Sequence, residues 1–172
     1  MKASICFIFA IIIFGCQRSD FKEPVEYTGP VREVENLELY NSENEQIKSK
    51  VLADLVYEFA NGDQEFPKGV YIELYNEFGR LESTLRANYA KFIKAEGHWL
   101  GQGKVELKNV EKNEQLNTEE LFYNPKTRKV YTDKFVTIRE GGDVIYGTGL
   151  QAMQDLSDYV ITNPEGIIEV EE

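Results

Sequence analysis

Val70-Tyr71-Ile72-Glu73-Leu74-Tyr75, Asn76-Glu77-Phe78-Gly79 and Leu81-Glu82-Ser83-Thr84-Leu85-Arg86-Ala87 together decide the fold class. Val70, Ile72 and Leu74 alternate with Tyr71, Glu73 and Tyr75. Leu81, Ser83, Leu85, Ala87 and Tyr89 likewise alternate with Glu82, Thr84, Arg86 and Asn88. A period of two places the two sets on opposite faces of a strand, so both runs read as half-buried antiparallel strands. Asn76 and Gly79 supply the turn between them. The stretch is a hairpin.

The same pattern recurs along the chain. Glu38-Leu39-Tyr40-Asn41 leads to Ile47-Lys48-Ser49-Lys50-Val51 and Tyr57, as Glu73-Leu74-Tyr75-Asn76 leads to Leu81, Leu85 and Tyr89. Glu106-Leu107-Lys108-Asn109 leads to Leu116-Asn117-Thr118-Glu119 and Tyr123. A worn fourth copy runs from Thr137-Ile138-Arg139 through Gly141-Gly142 to Ile145, Tyr146 and Leu150. Equivalent positions fall 34 and 35 residues apart (47 to 81, 81 to 116). Repeated units of this kind stack, each covering its neighbour's apolar face. Such stacks are more often scaffolds or binding surfaces than enzymes.

Turn residues at Asn61-Gly62-Asp63, Pro67-Lys68-Gly69, Asn124-Pro125-Lys126-Thr127 and Gly141-Gly142-Asp143 agree with strands between them, and Asp133-Lys134 carries a weaker turn signal. Helix is limited to short pieces, of which Gln151 to Leu156 is the best candidate. The expected fold is all-β, an elongated, twisted antiparallel sheet folded over itself. A membrane-spanning barrel needs an apolar outer band with aromatic girdles, whereas the outward positions here are Lys, Glu, Asn and Arg.

The chain divides into three parts. Residues 1–15 read as a secretory signal: Lys2 opens it, and Ile5 to Phe14 is an apolar run too short to span a bilayer. Ile13-Phe14-Gly15-Cys16 resembles the lipobox of bacterial lipoproteins, which implies cleavage before Cys16 and lipid on that residue. Residues 16–30, with Asp20, Glu23, Pro24, Glu26, Gly29 and Pro30, read as a flexible tether. Residues 31–172 form the domain. Cys6 leaves with the signal and Cys16 is lipidated, so no disulfide or Cys-based metal site is expected. The net charge of −11 disfavours nucleic acid, whose phosphates need Lys and Arg.

Motifs for catalysis are absent. The one histidine, His98, follows Glu96-Gly97 at a turn-to-strand junction with no Ser or Cys motif beside it, and reads as an exposed turn residue. No Gly-rich phosphate loop or His-x-His spacing occurs. Asp133, Glu140 and Asp143 do not match a known calcium loop, and no carboxylate pair stands in a glycosidase motif. No catalytic residue, metal or cofactor is therefore expected. Ten Tyr, ten Phe and Trp99 are more suggestive, with Phe59, Phe66, Tyr89 and Trp99 at inward or end-of-strand positions. They form either an ordinary core or a slot that takes hydrocarbon, each CH₂ gaining about 0.8 kcal/mol on burial.

Glu65-Phe66-Pro67-Lys68-Gly69-Val70-Tyr71-Ile72-Glu73-Leu74-Tyr75 and Ser83-Thr84-Leu85-Arg86-Ala87-Asn88-Tyr89-Ala90 resemble the LptC family of lipopolysaccharide-export proteins, in a Bacteroidetes-type lipoprotein form. Val130-Tyr131-Thr132-Asp133-Lys134-Phe135-Val136, Gln154-Asp155-Leu156-Ser157-Asp158-Tyr159 and the ending Asn163-Pro164-Glu165-Gly166 share the likeness, which spans roughly residues 35–168. The resemblance implies an elongated β-jellyroll of the OstA/LptA type. Its apolar interior would hold the acyl chains of lipopolysaccharide, taken from an inner-membrane ABC transporter and passed to an LptA-like bridge protein by β-strand addition. Candidate lining residues are Ile47, Val51, Leu55, Ile72, Leu74, Leu85, Trp99, Val105, Leu107, Val136 and Ile138. Many members anchor through a transmembrane helix, whereas this chain carries a lipid signal at Cys16, which implies a periplasmic domain tethered to a membrane, the inner one on the family's pattern. The rival reading is an adaptor lipoprotein whose apolar interior is only its core.

Overall fold

A computed structural model describes residues 27–166. The signal, Cys16 and most of the tether lie outside these residues, as does the chain's end. Eleven strands follow one another: β1 (Arg32–Glu43), β2 (Gln46–Glu58), β3 (Gln64–Phe66), β4 (Val70–Tyr75), β5 (Leu81–Ala87) and β6 (Tyr89–Ile93), then β7 (His98–Asn109), β8 (Glu114–Asn124), β9 (Lys129–Glu140), β10 (Asp143–Met153) and β11 (Tyr159–Glu165). The described chain is all-β and antiparallel throughout. The four repeats are the hairpins β1–β2, β4–β5, β7–β8 and β9–β10.

Two expectations are corrected. Gln151 to Met153 is not helical but completes β10, because Ala152 is held between Val130 of β9 and Tyr159 of β11; residues 154–158 form the turn that follows. Asp133-Lys134 makes no reversal, since β9 has strand partners on both edges and runs on through it.

The long strands β2 and β7 each share one edge between two partners. β2 pairs β4 from Ser49 to Leu52, then β3 at Tyr57 and Glu58. β7 pairs β6 from His98 to Gln102, then β5 from Glu106 to Asn109. Thus β4–β5 and β3–β6 form two bridges side by side between the same two strands. Irregular backbone lies along the line between them: Asn36 (φ 51) in β1, Gly69 (φ 90), Gly103 (φ 72) and Lys104 (φ 50) in β7, and Gly149 (φ 79) in β10. Register shifts fall there too, between Thr118 and Phe122 of β8 and between Thr148 and Leu150 of β10. Bulges bend strands and increase their twist, so a row of them creases the sheet and brings its two halves face to face.

Contacts between distant strand ends demonstrate the crease. Glu82 lies beside the end of β7, where its carbonyl accepts the Val110 N–H. Its carboxylate nevertheless meets Arg128 and Gln154, which flank strand ends aligned with the start of β7. A flat sheet would hold these groups about ten residues of strand apart, roughly 33 Å.

Each layer presents one continuous apolar row to the other. In the first, Leu39, Val51, Ile72, Leu85, Leu107, Leu116, Ile138 and Ile145 follow partner to partner across β1, β2, β4, β5, β7, β8, β9 and β10. The six in the middle are buried. In the second, Phe92, Trp99, Tyr123, Val130, Ala152 and Tyr159 run across β6 to β11. Cross-strand apolar pairs are the unit of sheet stabilisation, and here they also seal the two layers together.

At the crease, a Cβ on Gly149 would lie 2.9 Å from Thr162 Oγ1 in addition to sitting at positive φ. Gly149→Ala is therefore expected to lower stability by about 1–3 kcal/mol, read as a lower urea midpoint with an unchanged denaturant slope.

Candidate functional site

The crease sets two rows of turns opposite one another. Those after β1, β4, β7 and β9 tip the first layer; those after β2, β6, β8 and β10 tip the second. Over the later strands the seam between the rows is closed by polar contacts. Arg128 Nη2 donates to both oxygens of Glu82, at 2.8 and 2.6 Å. Gln154 Nε2 donates to Glu82 Oε2 at 2.7 Å, and the Tyr123 hydroxyl donates to Gln154 Oε1 at 3.0 Å. Asn109 Nδ2 donates to the Asp155 carbonyl at 2.6 Å, and the Tyr159 hydroxyl to Glu140 at 3.1 Å.

Toward the first strands the seam is open, and the layers part around a cleft of about 700 Å³. Such a volume is in the range of ligand pockets. Its apolar walls are Leu39, Val51 and Ile72 from the first layer and Phe92, Trp99 and Tyr123 from the second. Trp99 packs against Phe66 and Phe92 at ring separations of 5.0 and 5.3 Å, a tilted aromatic cluster that stiffens this wall. The rim is mixed, with Lys48 and Lys126 against Glu43 and Glu77. Arg128, Gln154 and Tyr123 face the cleft at its closed side.

The eleven expected lining residues divide into three groups. Val51, Ile72 and Trp99 border the cleft. Leu55, Leu74, Leu85, Val105, Leu107, Val136 and Ile138 are buried among the packed layers and do not border it. Ile47, near the start of β2, is 41% exposed. Leu39, Ser49, Phe92, Tyr123, Arg128 and Gln154 border the cleft without having been singled out as lining. The repeat carried a signal for two of them: Leu39 is the counterpart of Leu74 and Leu107, and Tyr123 the counterpart of Tyr57 and Tyr89.

His98 is not the exposed turn residue its neighbours suggest. It opens β7 with a side chain only 14% exposed, held by Glu96 at 3.0 Å and edge-on to the Phe122 ring. Phe122 belongs to the neighbouring strand β8, where it pairs with Leu100. Asp133 pairs with Lys134 in mid-strand, while Glu140 and Asp143 flank the β9–β10 turn, so the three are not brought together. Among the described residues no group of His, Cys, Asp and Glu could hold a metal ion, and no helix is long and apolar enough to cross a membrane.

Local electrostatics follow the hydrogen bonds. Glu82 holds the Arg128 guanidinium in its charged form, and burial pushes the Tyr123 phenol up. On the cleft rim, the Tyr75 hydroxyl donates to Glu73 at 2.6 Å, which pushes its phenol up to about 12 from 10.0. The protonated phenol is the form the fold favours. Its contribution to stability is full below pH 10 and fades as pH rises toward 12. Tyr75→Phe is expected to remove one phenolate signal developing near pH 12 from the alkaline absorbance titration.

The model of a family described as "Lipopolysaccharide-assembly, LptC-related" matches residues 4–163 of the chain. No curated protein matches it.

Proposed function

The chain belongs to the LptC-related family of lipopolysaccharide-assembly proteins, and on that premise we propose that its open cleft shelters the acyl chains of lipopolysaccharide in transit. The observation that carries this reading is the cleft itself, walled by Leu39, Val51, Ile72, Phe92 and Trp99 and open along a seam between two rows of turns. Acyl chains resting on these walls leave water, at about 0.8 kcal/mol per CH₂. The sugars and phosphates stay outside the seam, so a single lipid is held with each part in its preferred surroundings. Nothing in such a passage needs a reacting group, and the energy for direction comes from the ATP-driven transporter in the inner membrane.

Hand-over follows from the ends of the sheet. Among the described residues β1 pairs only β2 and β11 pairs only β10, so within them each has one edge of backbone donors and acceptors without a strand partner. An edge of this kind takes up a strand from another protein. On this reading one edge docks to the transporter and the other to a bridge protein of similar fold, and lipid on Cys16 keeps the domain at the membrane. Cys16→Ala is expected to move the protein from the membrane pellet to the soluble fraction.

The adaptor reading also has support, because seven of the residues expected to line a slot are packed in the core. A photo-crosslinking amino acid at Ile72 distinguishes the two in living cells. Capture of lipopolysaccharide there, with none from an outer-face position such as Val144, supports transport. Depletion that alters envelope shape while surface lipopolysaccharide stays normal, with no capture at Ile72, would falsify it.

A further inference from the structure

Resting on the acyl-chain reading of the cleft, we propose that Glu82, Arg128, Gln154 and Tyr123 form its chain-length stop, a polar clasp that limits how deep a hydrocarbon chain can run. The apolar row of the first layer supplies the first argument. Leu39, Val51 and Ile72 border the cleft, Val51 and Ile72 with little exposed surface, and the next members of the same row, Leu85, Leu107 and Leu116, do not border it. The apolar track is therefore continuous from the cleft into the core. At the cleft's closed side the groups standing between the layers are polar: Arg128 and Gln154 from the second layer, both bound to Glu82 of the first.

The clasp is also built to part. Gln154 and Tyr123 are buried and joined to each other, whereas the Arg128 side chain is 37% exposed and can turn its charge into water. Among the described residues, the two buried side-chain polar atoms without a partner are Arg128 Nε and Ser83 Oγ. Of the two, Arg128 Nε belongs to the clasp itself. A buried polar atom left unpaired destabilises the arrangement that strands it, so the closed clasp is less secure than its short hydrogen bonds suggest. A chain that ends before the clasp leaves it intact. A longer one must displace Arg128 and then lies along Leu85 and Leu107.

The test uses the full chain in its membrane and a series of alkyl phosphates, octyl to octadecyl, each with a photoactivatable diazirine at the far end of the chain. In the wild type the label is expected to move inward with chain length and then halt at Tyr123 and Gln154. In Glu82→Gln and Arg128→Leu, the longest probes are expected to label Leu85, Leu107 and Leu116 roughly tenfold more than in the wild type, about the factor that loss of one charge-assisted hydrogen bond gives. Protease resistance in the same membranes reports folding of each variant. Folded variants with an unchanged label pattern overturn the chain-length stop and leave the acyl cleft standing. Loss of the fold in both variants makes the clasp a structural fastener and overturns the proposal. Wild-type protein that takes no probe at Val51, Ile72 or Trp99 overturns the acyl cleft and the stop with it.

Discussion

Leu107→Asp is expected to abolish the folded state. Leu107 is fully buried at the middle of the first layer's apolar row, between Leu85 of β5 and Leu116 of β8. Truncating such a side chain costs about 2–5 kcal/mol. An aspartate there adds the burden of a carboxylate with no donor among its neighbours, worth several kcal/mol more even if it stays protonated. The sum matches the whole stability of an ordinary domain, about 5–15 kcal/mol. Far-UV circular dichroism and urea titration should show no cooperative transition, or one displaced by most of its midpoint. Val144→Asp provides the contrast. Val144 is on the outer face beside Arg139 and 41% exposed, so a charge there should change stability by no more than about 0.5 kcal/mol. Equal damage from both variants would mean that the row is not the core.

That row was legible in the sequence because period-two alternation is a local property. Val70, Ile72 and Leu74 face inward for the same steric reason in any antiparallel sheet, and the repeats supplied the hairpins in order. The crease was not legible. It depends on bulges at Gly103-Lys104 and near Thr118 and Thr148, where one strand gains a residue relative to its partner, and only the partner reveals that. Asp133-Lys134 shows the ambiguity at its sharpest. The same polar pair suits a turn or a bulged strand, and the neighbours β8 and β10 decide for the strand. Gln151 to Leu156 misled for a similar reason, since a mixed polar and apolar run fits a helical turn until Val130 and Tyr159 claim Ala152. The cleft depended on the crease. Inward-facing residues were identifiable, but which of them border open space was settled by how far the layers part, and that varies from β1 to β11.

Ser49→Trp is expected to empty the cleft while sparing the fold. Ser49 borders the cleft from β2, in the row next to Val51, and its hydroxyl only accepts a bond from the Asn41 side-chain amide at 2.9 Å. An indole grown from this position meets open space rather than packed side chains, so the domain should melt within about 1 kcal/mol of its usual stability. The same indole occupies room that about four methylenes would need. At about 0.8 kcal/mol each, their exclusion removes roughly 3 kcal/mol of binding, more than a hundredfold in affinity. Photo-capture of lipopolysaccharide from Ile72 should fall by that order, and cells relying on the variant should accumulate lipopolysaccharide at the inner membrane. Trp99→Ala is the counterpart, because it widens the cleft from the opposite wall and should keep capture at Ile72. If Ser49→Trp instead keeps full capture, the acyl chains do not lie between these walls. Lipid would then have to travel along a free sheet edge, where main-chain groups and not Val51 and Ile72 meet the cargo.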